Sequence, residues 1–205
     1  MVKKILIGVL LLVLGIVGYY VYMFTRKSGH DNGPKTPPLV IKKHSDAFNN
    51  SITAMLNAYF DMKAAFVDAD SAKAREACKR MLVMSDSIKL DELKNDTVGI
   101  FLADSLSLEN IRSNAKSLLI QTDLSEMRKD FSMVNENLYP FLKGTNYSGA
   151  AIYWQNCPMA FGDDKGASWI SNTAQVINPY LGKNHPEYHS SMLNCGSVLD
   201  SIKNQ

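Results

Sequence analysis

The sequence predicts a mainly α-helical protein: an antiparallel bundle of about four helices with an irregular C-terminal lobe, preceded by one transmembrane helix. Three features predict this class. A long uncharged apolar segment comes first, apolar residues then recur at every third or fourth position, and the C-terminal part lacks that period. The three-and-four spacing places apolar side chains on one face of a helix, which must pack against other helices.

The N-terminal segment predicts a membrane anchor. Lys3 and Lys4 precede the uncharged residues 5–25, and Arg26 follows them. About 20 apolar residues, each rising about 1.5 Å along a helix, cross the hydrocarbon core of a bilayer. We therefore expect residues 1–27 to form a single-pass anchor in a bacterial inner membrane, with the rest of the chain in the periplasm. The alternative is a cleaved signal peptide, but its apolar core is normally shorter and small residues follow it.

Residues 28–44 are dense in proline and glycine, which predicts a linker from the anchor to one soluble helical domain at residues 45–205. The first helix of that domain is expected to begin at Ser45, a favoured N-cap residue. A second helix is expected over residues 71–88, where apolar residues again recur at helical spacing.

The next two helices are predicted by the same period. A short helical segment is expected near residues 98–102, and a separate helix over residues 108–120. The last helix opens at Asp123, with Glu126 three residues later as in a capping box, and Gly144 ends it.

The character of the sequence changes after the last predicted helix. Tyr, Ile and Trp alternate with other residues over positions 147–155, which predicts a short strand or hairpin. Glycine, proline and asparagine then recur without a helical period, and Asp163 and Asp164 are interpreted as turn residues. Residues 145–205 are therefore expected to form a compact irregular lobe packed on the bundle.

Charge and motifs exclude several classes of function. The net charge of +2 and the lack of basic runs interleaved with aromatics argue against nucleic-acid binding. The sequence has no glycine-rich phosphate loop. Ser190 and Ser191 lie near His189 but lack the elbow and the ordered base that activate a serine nucleophile. We therefore expect neither an enzyme nor a nucleic-acid partner.

Two of the three cysteines predict a soft-metal site. Cys157 and Cys195 lie in the C-terminal lobe, with Met159 two residues after the first and Met192 three before the second. Thiolate and thioether donors suit soft, electron-rich ions such as Cu(I). These four residues are the predicted Cu(I) ligands, and His189 is a candidate additional ligand.

A disulfide between Cys157 and Cys195 is the alternative, and composition alone favours it. An extracytoplasmic compartment is oxidising, and this bond would close a loop of about 38 residues and contribute on the order of 3 to 4 kcal/mol. The methionines would then fill the core, and the protein would be a disulfide-stapled envelope interaction module without a metal. Zinc is a poorer match because no short Cys/His spacings complete a tetrahedral set.

Other metal-ligating residue types are given structural roles. Cys78 falls on the apolar face of the second predicted helix, where a small buried hydrophobe is the favoured account. His30 and His44 lie in or beside the linker and are expected to be solvated surface residues.

Four blocks of the C-terminal lobe resemble a known family. They are residues 153–161 (YWQNCPMAF), 166–171 (GASWIS), 177–182 (INPYLG) and 192–196 (MLNCG). Their order and spacing are similar to the family catalogued as domain of unknown function 3347, common in Bacteroidetes-type bacteria. The resemblance extends over roughly residues 47–200, although the helical part matches only in its general pattern of apolar and polar residues.

The resemblance implies heavy-metal handling, because similar domains occur as small exported proteins or fused to periplasmic adaptor subunits of metal-efflux pumps. The resemblance implies that the family's motif positions in this chain are Cys157, Met159, Met192 and Cys195. It makes soft-metal binding the favoured expectation. A metal-efflux or other envelope protein is the implied partner. Two departures from the family stand out: residues 183–191 look like an insertion, and the adaptor context is absent, which weakens a direct role in a pump.

Overall fold

The computed structural model describes residues 2–26 and 43–203 of the chain. One compact unit contains helix α1, Val2–Arg26, and a second unit contains all the other elements. Within the part of the chain that is described, no helix is long and apolar enough to cross a membrane. His30 and nearly all of the predicted linker lie outside the described residues.

Four helices of the second unit pack in sequence order, α2 on α3, α3 on α4 and α4 on α5. A 3-10 helix, Leu90–Asn95, connects α3 to α4. The prediction of a mainly helical fold is confirmed. The four helices are α2 at Asp46–Val67, α3 at Ser71–Asp86, α4 at Val98–Ile120 and α5 at Leu124–Gly144.

The predicted helix starts are confirmed by side-chain caps. The Ser45 hydroxyl accepts a hydrogen bond from the Phe48 backbone N–H at 3.1 Å. One carboxylate oxygen of Asp123 accepts from the backbone N–H groups of Ser125 and Glu126, at 2.7 and 3.2 Å. Each cap satisfies N–H groups that have no partner within the helix.

One helical boundary was predicted wrongly. The expected segments at residues 98–102 and 108–120 are one continuous helix, α4. The intervening residues give α4 little amphipathic character, since Leu102 and Leu106 are exposed while Asp104 is buried. Tertiary packing maintains this helix where the apolar period fails. Cys78, on α3, is fully buried as predicted, and its thiol donates to the Ala115 carbonyl oxygen at 3.3 Å.

The C-terminal lobe contains a three-stranded antiparallel sheet with strand order β2-β1-β3. The strands are β1 at Ile152–Cys157, β2 at Ala167–Ser171 and β3 at Ser197–Ile202. The expectation of an irregular lobe with a single strand or hairpin was therefore incomplete. All five residues of β2 are buried, so this strand shows no alternation in sequence. The turn between β1 and β2 contains Asp164 at φ 58°, which confirms its interpretation as a turn residue.

A buried polar network joins the sheet to the helices. The Tyr59 hydroxyl of α2 donates to the Asn135 side-chain oxygen of α5 at 2.6 Å and accepts from the Ile170 backbone N–H at 3.1 Å. The Asn135 amide donates to the Tyr180 hydroxyl at 3.2 Å, which donates to the Ser168 carbonyl oxygen at 2.5 Å. Because these groups are buried, each bond avoids the cost of an unsatisfied polar atom and fixes the lobe on the bundle.

His44 was predicted to be a solvated surface residue, and this prediction was wrong. Its side chain is buried, with Nε2 3.2 Å from a carboxylate oxygen of Asp96. The imidazole also packs on Phe48, with ring centroids 4.9 Å apart. A carboxylate partner makes burial of the imidazole tolerable, and the sequence beside the linker gives no sign of that distant partner.

Candidate metal centre

The sheet brings the two cysteines of the C-terminal lobe together. Cys157 is the last residue of β1, and Cys195 lies two residues before β3 begins at Ser197. The antiparallel pairing of Asn156 with Ser197 places these strand ends side by side. The two sulfur atoms are 2.6 Å apart, and both cysteines are free thiols. Residues 38 positions apart in sequence thus form one pair of donors.

Two adjacent sulfurs can be joined by a disulfide or can bind one metal ion. A disulfide bond measures about 2.05 Å. Two thiolates on one ion, each about 2.3 Å from it, lie roughly 4 Å apart. Oxidation therefore requires a small approach of the sulfurs and the loss of two protons and two electrons to an oxidant. Metal binding requires the sulfurs to separate by roughly 1 to 2 Å and to lose their protons.

The environment of Cys195 opposes the free thiolate. Burial, together with the hydrogen bond and charge of Cys157, raises the pKa of the Cys195 thiol to about 12. Without a metal, the Cys195 thiol is therefore protonated at neutral pH, and a bound cation would supply the positive charge that favours its deprotonation. Because binding releases protons, the affinity for a metal ion is expected to rise with pH.

Asn178 holds the Cys195 segment in place. Its side-chain amide donates to the Cys195 carbonyl oxygen at 3.0 Å, and its backbone N–H donates to the Leu193 carbonyl oxygen at 2.8 Å. Its side-chain oxygen accepts from the backbone N–H groups of Tyr180 and Leu181, at 2.8 and 3.0 Å. This fully buried residue therefore connects the turn at 178–182 to the loop that carries Cys195.

Gly196 allows the chain to turn from Cys195 into β3. Its φ of +133° favours glycine, and a Cβ at this position would lie 2.5 Å from the Asn156 carbonyl oxygen. The same Cβ would lie 3.0 Å from the ring of Trp169, which is fully buried beside this loop. The close approach of the two chains is what brings Cys195 to Cys157.

The other predicted ligands lie in the same lobe. Met159 and Met192 are half-buried and pack against the edge of the core. Each precedes a tight turn, because the Met159 carbonyl oxygen accepts from the Gly162 N–H and the Met192 carbonyl oxygen accepts from the Cys195 N–H. Ligation of an ion by either thioether stays a prediction.

His189 lies in an exposed turn of residues 185–189 and has a φ of 48°. Within the described residues, no three His, Cys, Asp or Glu side chains are grouped closely enough to hold a metal ion. The thiol pair is thus not joined by His189 into such a group, and any further donors must be of another type, such as thioethers.

Sequence reasoning did not assign roles to Asn178 and Gly196. Asn178 precedes a proline in the block INPYLG, a context that favours a turn capped by the asparagine side chain. Gly196 directly follows Cys195, where glycine is a signal for an unusual backbone conformation or a close chain approach. Both signals are local, and neither identifies the distant residue that is contacted.

Comparison with known families matches residues 55–149 to the family described as "Protein of unknown function (DUF3347)". The resemblance to that family is confirmed for this segment of the chain. The matched segment begins within α2 and ends before β1, and it therefore contains neither Cys157 nor Cys195. The family description states no activity, and the association with metal efflux stays a prediction. No curated protein and no solved structure matches the chain.

Proposed function

We propose that this is a membrane-anchored extracytoplasmic protein that binds a soft metal ion, with Cu(I) the best match, and buffers, senses or transfers it. The observation that supports this proposal is the convergence of Cys157 and Cys195, with their sulfurs 2.6 Å apart. Two adjacent thiols provide a chelating pair of soft donors, which Cu(I) prefers to oxygen ligands. Nothing in the proposal requires catalysis.

The methionines favour Cu(I) over zinc as the ion. Met159 and Met192 each lie within three residues of a cysteine and remain partly exposed. A thioether is a weak ligand for zinc, whereas Cu(I) accepts it together with thiolate. Because Met is flexible, the two side chains can adjust to an ion bound between the thiols.

The sequence of the N-terminal segment supports the proposed anchor in a bacterial inner membrane. Residues 5–25 are uncharged and rich in apolar side chains. A helix satisfies its own backbone hydrogen bonds, as a chain in lipid must. Lysines precede the segment and basic residues follow it. Insertion with the N-terminal side of the segment in the cytoplasm would leave the thiol pair in the periplasm, with envelope proteins as partners.

Titration with Cu(I) tests metal binding. The reduced full-length protein, in detergent and without oxygen, competes with a chromogenic Cu(I) chelator of known affinity, and Zn²⁺ serves as the control ion. We expect one equivalent of Cu(I) to be withdrawn from the chelator, and Zn²⁺ to bind at least about a hundredfold more weakly. Failure of the reduced protein to withdraw any Cu(I) would contradict the proposal.

The second candidate is a disulfide-stapled interaction module without a metal. The sulfur separation of 2.6 Å favours it, because this distance is closer to a disulfide than to two thiolates on one ion. Mass spectrometry of the unreduced protein distinguishes the two, since a disulfide lowers the mass by two hydrogens. An intact Cys157–Cys195 bond, combined with no Cu(I) binding after reduction, would establish this candidate instead.

A further inference from the structure

A cleft of about 650 Å³ lies between the start of α5 and the turns of the C-terminal lobe. Its volume is in the range of clefts that bind small molecules. We propose that this cleft binds a small planar organic anion of the aromatic carboxylate class. The residues that carry the proposal are Arg128, Phe161, Lys165, Tyr180, His185 and Tyr188, all of which line the cleft.

Arg128 supplies a buried positive charge at the cleft. Only 7% of the residue is exposed, and its Nε and Nη2 donate to the carbonyl oxygens of Pro179 and Phe66 at 3.1 and 2.9 Å. Both acceptors are neutral, so neither compensates the charge. Burial lowers the pKa of the guanidinium to about 10, and the negative charge of Asp123 raises it by a smaller amount. A buried cation is stabilised by an anion within hydrogen-bond reach.

One nitrogen of this guanidinium is left for a ligand. Nη1 takes part in neither of the two carbonyl bonds. If Nη1 were fully buried, it would be a buried polar atom without a partner, and within the described residues it is not one of these. Since Arg128 lines the cleft, we infer that Nη1 faces the solvent there. A carboxylate at this position would gain a charge-assisted hydrogen bond.

Aromatic rings give the cleft flat apolar walls. The rings of His185 and Tyr188 stack with centroids 4.9 Å apart and an interplanar angle of 19°. The rings of Phe161 and Tyr180 meet edge to face at 5.2 Å. A planar ring is the ligand body that such surfaces bind best, because stacking adds to the burial of apolar area.

The charges around the cleft favour an anion. Lys129 is paired with Glu126 at 2.7 Å, and the Asp123 carboxylate is engaged as the cap of α5. The other charged residues of the lining are Arg128 and Lys165, both positive, and Glu187, which is negative, so the lining as a whole holds three cations and two carboxylates. Lys165 and Glu187 are exposed, so each can be neutralised without disturbing the core.

Calorimetric titration of benzoate into the metal-free full-length protein tests the proposal, with benzamide as the uncharged probe of the same shape. We expect a Kd for benzoate on the order of 1 mM and at least about tenfold weaker binding of benzamide. Lys165→Gln is expected to weaken benzoate binding by about threefold, and Glu187→Gln to tighten it by a similar factor.

Opposite shifts in the two variants would locate the anion in this cleft. Equal affinity for benzoate and benzamide would overturn the anion assignment. Benzoate binding that neither variant changes would place it elsewhere on the protein, and no heat at concentrations of about 20 mM would exclude the site. Since the protein is metal-free throughout, none of these outcomes depends on the proposed copper site.

Discussion

Replacing Cys195 by serine is expected to lower the affinity for Cu(I) by at least about a hundredfold, equivalent to about 3 kcal/mol. The variant retains one thiol, Cys157, but a serine hydroxyl neither ionises near neutral pH nor provides a soft donor. Cys157→Ser is expected to have the same effect, because the chelating pair is lost in either case. Competition with a Cu(I) chelator, under the conditions used for the unaltered protein, measures the change.

Cys78→Ala is the matched control for these variants. It removes a thiol from the same protein, but that thiol is fully buried in the helical core and donates to a carbonyl oxygen of α4. Its affinity for Cu(I) is expected to equal that of the unaltered protein. If Cys78→Ala and Cys195→Ser weakened binding to the same extent, the pair at residues 157 and 195 would not be the site.

Lys63→Met is expected to stabilise the protein at neutral pH by on the order of 3 kcal/mol. Lys63 is only 9% exposed, its ammonium donates to the Ser171 hydroxyl at 3.0 Å, and burial lowers its pKa to about 8. The ring of Phe60, 5.8 Å from the ammonium, offsets little of the desolvation. Methionine fills a similar volume without a charge, so the folded state no longer buries a cation.

The pH dependence of unfolding distinguishes this effect from better packing. Below pH 8 the lysine is charged in both folded and unfolded states, and the folded state carries the full cost of burial. Between about pH 8 and pH 10.5 it is neutral when folded and charged when unfolded, so stability rises with pH in this window. Denaturant unfolding should show that the advantage of Lys63→Met is greatest below pH 8 and falls above it.

The exposed residue Lys116 provides the control for this prediction. Lys116→Met removes the same charge from the surface of α4 and is expected to change the free energy of unfolding by less than about 0.5 kcal/mol. A stabilisation by Lys63→Met that stayed constant from pH 7 to pH 10.5 would contradict the account of a buried ammonium.

Local features of the sequence predicted the helical part of the fold. Ser45 and Asp123 are capping residues, and their caps act within three residues along the chain. The joining of two expected segments into α4 was missed because exposed Leu102 and Leu106 break the apolar pattern there. The sheet was also predicted only in part, since fully buried β2 lacks alternation and most of β3 is exposed.

The donors of the candidate site could be predicted from the sequence, but their arrangement could not. Cys157 and Cys195 were identified by the methionines near them, whereas their pairing depends on the alignment of β1 with β3. The role of Asn178 depends on a contact 17 positions away, and that of Arg128 on carbonyl groups of Phe66 and Pro179. Such contacts follow from tertiary packing and leave no periodic signal in the chain.

The oxidation state of the thiol pair governs the proposed function. A disulfide between Cys157 and Cys195 removes both thiolates, so the oxidised protein is expected to bind no Cu(I) at this site. In the reduced pair, the Cys195 thiol has a raised pKa and holds its proton until a cation displaces it. Metal occupancy would therefore report both the supply of the ion and the redox state of the compartment.

X-ray absorption spectroscopy at the copper edge tests the central claim most directly. The reduced full-length protein is loaded with one equivalent of Cu(I), and the scattering atoms around the copper are identified from the fine structure. We predict a first coordination shell made of sulfur, with copper–sulfur distances of about 2.3 Å. This shell is expected to be lost in Cys195→Ser. A shell made only of nitrogen and oxygen, or copper that is removed by passage through a desalting column, would contradict soft-metal binding by the thiol pair.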